Sequence, residues 1–363
     1  MVVNPRAAVL LACSLVVVAA CSEKSTNPQP RPGPQRKPGP VAAAPQAWID
    51  PAVQARAQAI NIAVLDPAAT APDANHAALI RAQVLLDRAR LSPGVIDGRE
   101  GSNLTLAVEA FQAAKGLTVN SLLDQATWDA LLATDTRPVL TDYVITAQDV
   151  AGPFVADLPQ DDYEALARLP ALSYRDPVEA LAERFHMDDG LLRSLNPGAD
   201  FNAAGTPIVV AAVRTGKLAG KVARIEIDKS RGQVRVFDEQ SVELAVYPAT
   251  VGSTERPAPT GEWAVNTVAP RPTYTFDPTR LTFGKPKGKL TLQPGPNNPV
   301  GSTWIDLTKD TYGIHGTPDP RLVNKRASHG CVRLTNWDAA ELGAAVQKGA
   351  RVVFLGSEPS RTT

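Results

Sequence analysis

Apolar residues in the first half of the chain recur at helical spacing. Ile80, Val84 and Leu91 lie four and seven residues apart, which places them on one face of a helix. Two further stripes follow after glycine-containing turns, and their members are Leu104, Val108 and Phe111, then Trp128, Leu131 and Leu132. The pattern predicts a small three-helix domain over residues 76–135.

A second small unit is predicted over residues 142–211. Apolar helical stripes at 180–185 and 191–192 precede the turn sequence Asn196-Pro197-Gly198 and an apolar run that ends at Val210. This order predicts two short helices and a closing strand, and therefore a small α/β module.

The period of the apolar pattern changes to two from Val222 onward. Ile225 and Ile227 alternate with acidic residues, which is typical of a half-buried strand. Further strand candidates follow at 234–237, 242–251, 263–268, 304–307 and 351–355. Thr335-Asn-Trp-Asp338 has the sequence of a helix start with a capping box. We expect a mainly-β domain with one late helix over 222–356, followed by a short tail, 357–363.

The apolar residues at the N-terminus follow neither the helical period nor the strand period of two. Arg6 precedes an apolar run, 7–18, that is too short to span a bilayer comfortably, so residues 1–20 are predicted to be an export signal. Val18-Ala-Ala-Cys21 resembles a bacterial lipobox, in which the cysteine carries lipid and becomes the first residue; the alternative is an ordinary signal peptide cut nearby. The Pro- and Ala-rich stretch 21–75 is then predicted to be a tether, extended over about 22–45 and with an alanine-rich helix candidate at 48–65.

Charge and cysteine content narrow the function. The 37 basic and 37 acidic residues cancel, which argues against broad electrostatic binding to nucleic acid. Of the three cysteines, Cys13 would leave with the signal and Cys21 would be capped by lipid. Cys331 would then have no disulfide partner within the exported chain, and an unpaired exported thiol is most easily explained by catalysis.

The candidate chemistry lies in one stretch, residues 314–334. It holds two of the four histidines, His315 and His329, together with Cys331. A free thiol has a pKa of about 8.5 and needs a nearby base or cation to react well near neutral pH. Each histidine is followed by a glycine, which lets the backbone approach a substrate carbonyl. A cysteine, nearby histidines and glycine-flanked amides together indicate acyl transfer through a thioester. The alternative is a buried structural cysteine.

These residues resemble the signature of L,D-transpeptidases with a YkuD-like catalytic domain, over about 222–355. The matching segments are His315–Thr317, Ser328–Leu334, Pro257–Trp263 and Pro294–Gly301. The resemblance implies a β-sandwich carrying a cysteine loop.

The two N-terminal units also resemble cell-wall modules. The helical domain is similar to a three-helix peptidoglycan-binding domain in its order of Gln83, Gly94–Gly98 and Ala107–Gln112; the alternative is an unrelated three-helix bundle. The second half of the α/β module resembles a LysM-type carbohydrate-binding module through its Leu-Asn-Pro sequence at 195–197, although its first half lacks the compact Gly-Asp start.

The family resemblance implies a role for each residue of the candidate site. Cys331 would be the nucleophile and His315 the general base, with the Gly316 carbonyl orienting the imidazole in place of a carboxylate. No metal or cofactor is implied.

Three further residues near the nucleophile receive expected roles. The Gly330 and Cys331 amides would form the oxyanion hole. His329 would shape the loop. Arg333 would face the cleft and hold a substrate carboxylate or carbonyl, or else form a structural salt bridge.

The implied reaction is attack of the thiol on the third residue of a peptidoglycan stem tetrapeptide, with release of D-Ala and transfer to an amine of another stem or a protein. The alternatives are an L,D-carboxypeptidase that hydrolyses the same bond and a non-catalytic wall-binding lipoprotein. The expected partners are peptidoglycan stem peptides and glycan, and a membrane held through lipid on Cys21. Ser22 in place of aspartate points, by resemblance, to the outer membrane facing the periplasm.

Overall fold

The computed structural model describes residues 49–357, with gaps at 70, 72, 160–161, 253–256, 280–287 and 326–329. The export signal, Cys21 and His329 therefore lie outside the described residues, as does the tail from 358 onward. In the described part of the chain, no helix combines the length and the apolar character needed to cross a membrane.

The region before residue 135 is helical. Its helices are α1 (Pro51–Asn61), α2 (His76–Arg88), α3 (Ser102–Ala114) and α4 (Gln125–Leu132). Helices α2 to α4 bury the predicted apolar stripes, and Ile80, Phe111 and Leu131 are at most 1% exposed. Helix α4 is capped by Asp124, which accepts a hydrogen bond from the Thr127 amide at 2.8 Å. The predicted three-helix domain is confirmed.

Helix α1 lies inside the stretch that the sequence assigns to a tether. Pro51 at its first turn and the Asp50 side chain, which accepts from the Ala52 amide at 2.7 Å, fix its start. Asn61 exchanges two hydrogen bonds with the Leu140 backbone, at 2.7 and 3.3 Å. The helix candidate at 48–65 is therefore present as α1 and is bonded to the α/β module, while residues 21–48 of the predicted tether lie outside the described residues.

The α/β module follows. Its elements are β1 (Leu140–Val144), α5 (Tyr163–Ala167), α6 (Pro177–Arg184), α7 (Asp189–Leu195) and β2 (Pro207–Ala211). The two strands pair antiparallel, and Asp176 and Asp188 cap α6 and α7. The predicted pair of helices and the closing strand are present. The assignment to the LysM type stays a prediction.

The C-terminal region is built on a nine-stranded sheet. Its strands are β3 (Val222–Asp228), β4 (Gln233–Phe237), β5 (Glu243–Pro248), β6 (Thr250–Val251), β7 (Gly261–Pro270), β10 (Thr303–Leu307), β11 (Gly313–His315), β12 (Val332–Arg333) and β13 (Val346–Leu355), with the separate hairpin β8 (Tyr274–Phe276) and β9 (Leu290–Leu292). The order across the sheet is β5-β4-β3-β13-β7-β10-β11-β12-β6. The long strand β7 pairs with β13 through its first half and with β10 through its second half. Both halves of the sheet bury their apolar residues in one core, as in the predicted mainly-β sandwich.

Helix α8 (Asn336–Ala345) packs against this core through Ala339 and Leu342, both 0% exposed. Thr335 caps it by accepting from the Asp338 amide at 3.1 Å. The sequence predicted that the Asp338 carboxylate would complete a capping box. It instead accepts hydrogen bonds from Arg214 at 2.5 Å and Ser92 at 3.0 Å. The Thr335 cap is therefore present, and ionic pairing across domains replaces only the reciprocal bond expected of the Asp338 carboxylate.

Arg214 joins the three folded regions. Its guanidinium is 5% exposed and contacts Asp87 of α2 and, on helix α8, Asp338 and Glu341. Asp87 also bonds the His186 ring at 2.9 Å. Burial disfavours the ionised form of Asp87 and so acts to raise its pKa. The electrostatic attraction of Arg214 and His186 outweighs this effect and holds the pKa of Asp87 well below its usual range. This buried network fixes the helical domain and the α/β module against the sheet.

Candidate active site

His315 ends strand β11 at the centre of the candidate site. The residue is 4% exposed, and its ring stacks on Trp304 of the neighbouring strand with centroids 5.6 Å apart. The antiparallel register sets Trp304 directly opposite His315, so the sheet itself brings the two rings together. The His315 Nδ1 atom lies 2.6 Å from the Gly316 carbonyl oxygen. A carbonyl can only accept, so the neutral ring carries its proton on Nδ1 and leaves Nε2 as the basic nitrogen.

The surroundings of His315 disfavour the imidazolium. Burial lowers its pKa to about 3, and the Arg333 charge acts in the same direction, against a smaller opposing effect of the Gly316 carbonyl. The resting imidazole is therefore neutral.

Asn336, at the start of helix α8, supports the turn that holds the Gly316 carbonyl. Its Oδ1 atom accepts from the Thr317 amide at 3.1 Å and from the Ser302 amide at 3.0 Å. The approach is so close that a Cβ added to Gly316 would lie 2.1 Å from Oδ1. Glycine is therefore required at 316 by packing as well as by sequence motif.

Cys331 directly precedes strand β12, which pairs in parallel with the strand that ends at His315. Strand β12 begins at Val332, opposite Ile314, so Cys331 comes directly before the paired residues. Its Sγ atom donates weakly to the Thr311 carbonyl at 3.8 Å. The residue as a whole is half-buried, and burial of the sulfur raises the thiol pKa, while the Gly313 backbone and the Arg333 charge oppose that rise.

Gly330 precedes the thiol with φ +111°, a backbone conformation that L side chains rarely adopt. A Cβ at this position would also crowd the Tyr312 ring at 3.2 Å. The expected oxyanion-hole glycine thus occupies a backbone shape that needs glycine. His329, the residue before it, falls in the gap 326–329, so its expected role in the loop stays a prediction.

Arg333 faces the same region from strand β12, opposite His315 in the parallel register. Within the described residues its Nε atom is buried without a hydrogen-bond partner. Burial lowers the pKa of the guanidinium, and the negative forms of Cys331, Tyr163 and Asp319 oppose that effect. No structural salt bridge to Arg333 forms among the described residues, which leaves the donor available for a ligand.

Sequence reasoning missed two groups of residues at this site. Tyr163 of α5 contacts Tyr274 and Phe276 of β8, with centroids 6.2 and 5.1 Å apart, and it acts electrostatically on Arg333, so the α/β module reaches the candidate site. Sequence reasoning treated Asn336 only as part of a helix start. The signal that could have identified it was an amide side chain directly after the capping threonine, Thr335.

Two family models match the chain. The L,D-transpeptidase catalytic domain, YkuD, matches residues 222–354, and the putative peptidoglycan-binding domain matches residues 75–131. The putative L,D-transpeptidase YqjB of Bacillus subtilis is 32% identical over 140 residues, which are 37% of this chain and 72% of that protein. The chain belongs to the L,D-transpeptidase family.

Other members of this family resemble the chain at lower identity. The putative L,D-transpeptidase YkuD of Bacillus licheniformis is 27% identical over 179 residues, 49% of this chain and 92% of that protein. The crystal structure of an L,D-transpeptidase (residues 123–326) from Xylanimonas cellulosilytica is 16% identical, with a TM-score of 0.32, and the match covers 75% of this chain and 92% of that one.

Proposed function

We propose that this chain is a peptidoglycan L,D-transpeptidase that works through a thioester on Cys331. One observation carries the proposal: His315, neutral and held by the Gly316 carbonyl, lies on the strand paired with the one that Cys331 precedes. This arrangement provides a nucleophile and an oriented base without a carboxylate.

In the proposed reaction the Cys331 sulfur attacks the carbonyl of the third stem residue while its proton passes to His315 Nε2. The backbone amides of Gly330 and Cys331 stabilise the oxyanion. The C–N bond then breaks, and D-Ala leaves with the proton from His315. An amine of a second stem, or of a protein, attacks the thioester and returns a proton through His315, which regenerates the thiol.

The roles of the flanking parts follow from their contacts. The Arg333 Nε donor, buried and unpaired among the described residues, suits a substrate carboxylate or carbonyl. The helical domain would hold the enzyme on peptidoglycan, a role supported by its family match. The helix pair α6-α7 between the paired strands β1 and β2, preceded by the short helix α5, supports a LysM-like module that binds glycan. We further propose export, with lipid on Cys21 and attachment at the outer membrane facing the periplasm.

Incubation of the purified protein with muropeptides, read by mass spectrometry, tests the function. Transfer predicts loss of D-Ala together with new cross-linked masses. Hydrolysis, the L,D-carboxypeptidase alternative, gives loss of D-Ala with tripeptides only. A non-catalytic wall-binding protein leaves the tetrapeptides unchanged, and that result would contradict the proposal.

A further inference from the structure

The support of the catalytic turn does not end at Asn336. The Nδ2 atom of Asn336 donates to the Pro296 carbonyl at 3.1 Å and to Glu183 Oε2 at 2.8 Å. Together with the two amides bonded to Oδ1, all four hydrogen-bonding positions of this amide are used. Asn336 therefore has a single orientation, and Glu183 is one of the groups that fix it.

Glu183 belongs to helix α6 of the α/β module, outside the residues that match the catalytic family model. Its other oxygen accepts from the Tyr174 hydroxyl at 2.7 Å. Both carboxylate oxygens are therefore bonded, one within the module and one to Asn336. The Glu183–Asn336 hydrogen bond joins residues 153 positions apart in the sequence, and Asn336 is itself in direct contact with Gly316.

The module is fastened to the catalytic domain beside this contact. The Leu172 amide donates to the Pro294 carbonyl at 3.1 Å, and the Asn297 amide donates to the Leu172 carbonyl at 3.0 Å. The Asn297 side chain also donates to the Ser173 carbonyl at 2.9 Å. These bonds hold α6 in register with the start of α8, so the Glu183–Asn336 bond is part of a fixed interface.

We propose that Glu183 is a positioning residue for the transpeptidase reaction, acting through Asn336 on the Gly316 turn that orients His315. The inference rests on the proposed function. It means that the α/β module contributes directly to the geometry of the catalytic base, in addition to any ligand that it binds.

The charge on Glu183 gives this role a pH signature. Burial raises its pKa to about 7; the Tyr174 and Asn336 hydrogen bonds favour the ionised form, and the negative charges of Glu179 and Asp189 oppose it. An ionised acceptor holds the Asn336 amide more strongly than a neutral one. The pKa of His315 is near 3 and that of Cys331 is raised above 9.0, so neither titrates near pH 7. An inflection near pH 7 that is present in wild type and lost when Glu183 is replaced by glutamine would therefore report Glu183.

Glu183→Gln, compared with wild type between pH 5.5 and 8.5, tests the proposal. We expect kcat for D-Ala release to fall about fivefold at pH 8, KM to stay within about twofold, and the inflection near pH 7 to disappear. Asp149→Asn is the matched control, because Asp149 is a buried carboxylate of the same module whose bonds to Tyr143 and Arg184 stay within it. An unchanged inflection in Glu183→Gln, or equal loss in Asp149→Asn, would overturn the inference.

A second measurement keeps this test separate from the proposed function. The experiment follows the His315 Nδ1 proton, which lies in the 2.6 Å bond to the Gly316 carbonyl, by NMR in the resting protein. We expect its resonance to shift through about pH 7 in wild type and to be constant in Glu183→Gln. Constancy in wild type would refute the positioning role even in an active enzyme. A protein that releases no D-Ala but shows the shift would fail only the proposed function.

Discussion

The resting state of the catalytic pair gives a sharp prediction: Cys331 is a protonated thiol beside a neutral imidazole, and the two do not form an ion pair. The pKa of His315 drops from 6.5 to about 3, which disfavours the imidazolium by about 5 kcal/mol. The thiol pKa lies above its ordinary value of about 8.5. The difference of at least about 5.5 pKa units makes the ion pair no more than about three parts in a million before mutual attraction is counted.

Attraction between the charges does not reverse this balance. Even two opposite charges as close as about 4 Å gain only about 4 kcal/mol at an effective dielectric constant near 20. That gain raises the ion-pair population to at most about three parts in a thousand, so the neutral pair still dominates. We infer that the proton leaves Cys331 during attack on bound substrate, when the oxyanion hole can stabilise the developing charge.

Alkylation of Cys331 by iodoacetamide as a function of pH measures this state. The rate is followed by mass spectrometry of the peptide that contains Cys331, between pH 5.5 and 10.5. We expect slow reaction at pH 7 and a rise of about tenfold per pH unit up to at least pH 9, since only the thiolate reacts. A rapid reaction with an inflection below pH 7 would mean a stable thiolate–imidazolium pair, and the reasoning from burial would be refuted.

Three other substitutions and one comparison follow from the same structure. Cys331→Ser should fold but release almost no D-Ala from tetrapeptide, because a hydroxyl is far less ionised than a thiol; appreciable release would argue against a thioester. His315→Ala should remove most activity, whereas His329→Ala should stay within about tenfold of wild type in kcat/KM, and the reverse ranking would identify the wrong base. Arg214→Ala should lower the free energy of unfolding by about 3–5 kcal/mol in urea titrations, because it leaves buried carboxylates unpaired; a loss below about 1 kcal/mol would contradict that role. Cys21→Ala should yield uncut precursor or soluble protein in cell fractions, and an unlipidated, soluble wild type would refute the anchor.

The parts of the fold that sequence reasoning predicted are those fixed by local pattern. The stripe through Ile80, Phe111 and Leu131 depends only on helical spacing, and all three residues are buried as expected. The alternation at Ile225 and Ile227 likewise gives strand β3, with both residues 0% exposed. Local periodicity was sufficient because each element buries one face against a single core.

The supporting contacts of the site could not be predicted in the same way. In the sequence Glu183 is one of several charges on an amphipathic helix, and only the docking of α6 on α8 gives it Asn336 as a partner. The sequence around Asp338 predicts a capping residue. Its carboxylate instead accepts a hydrogen bond from Arg214, which lies 124 positions earlier in the chain. Such pairings depend on tertiary packing, which leaves no periodic trace in the sequence.

The central claim, a thioester on Cys331, is tested most directly by the mass of the intact protein after mixing with a stem tetrapeptide. The account predicts an added mass equal to the tetrapeptide minus D-Ala, mapped by fragmentation to Cys331 and discharged by an acceptor amine. Cys331→Ser should show no such adduct under the same conditions. D-Ala release by wild type without any adduct at Cys331, or with equal release by the serine variant, would contradict the account.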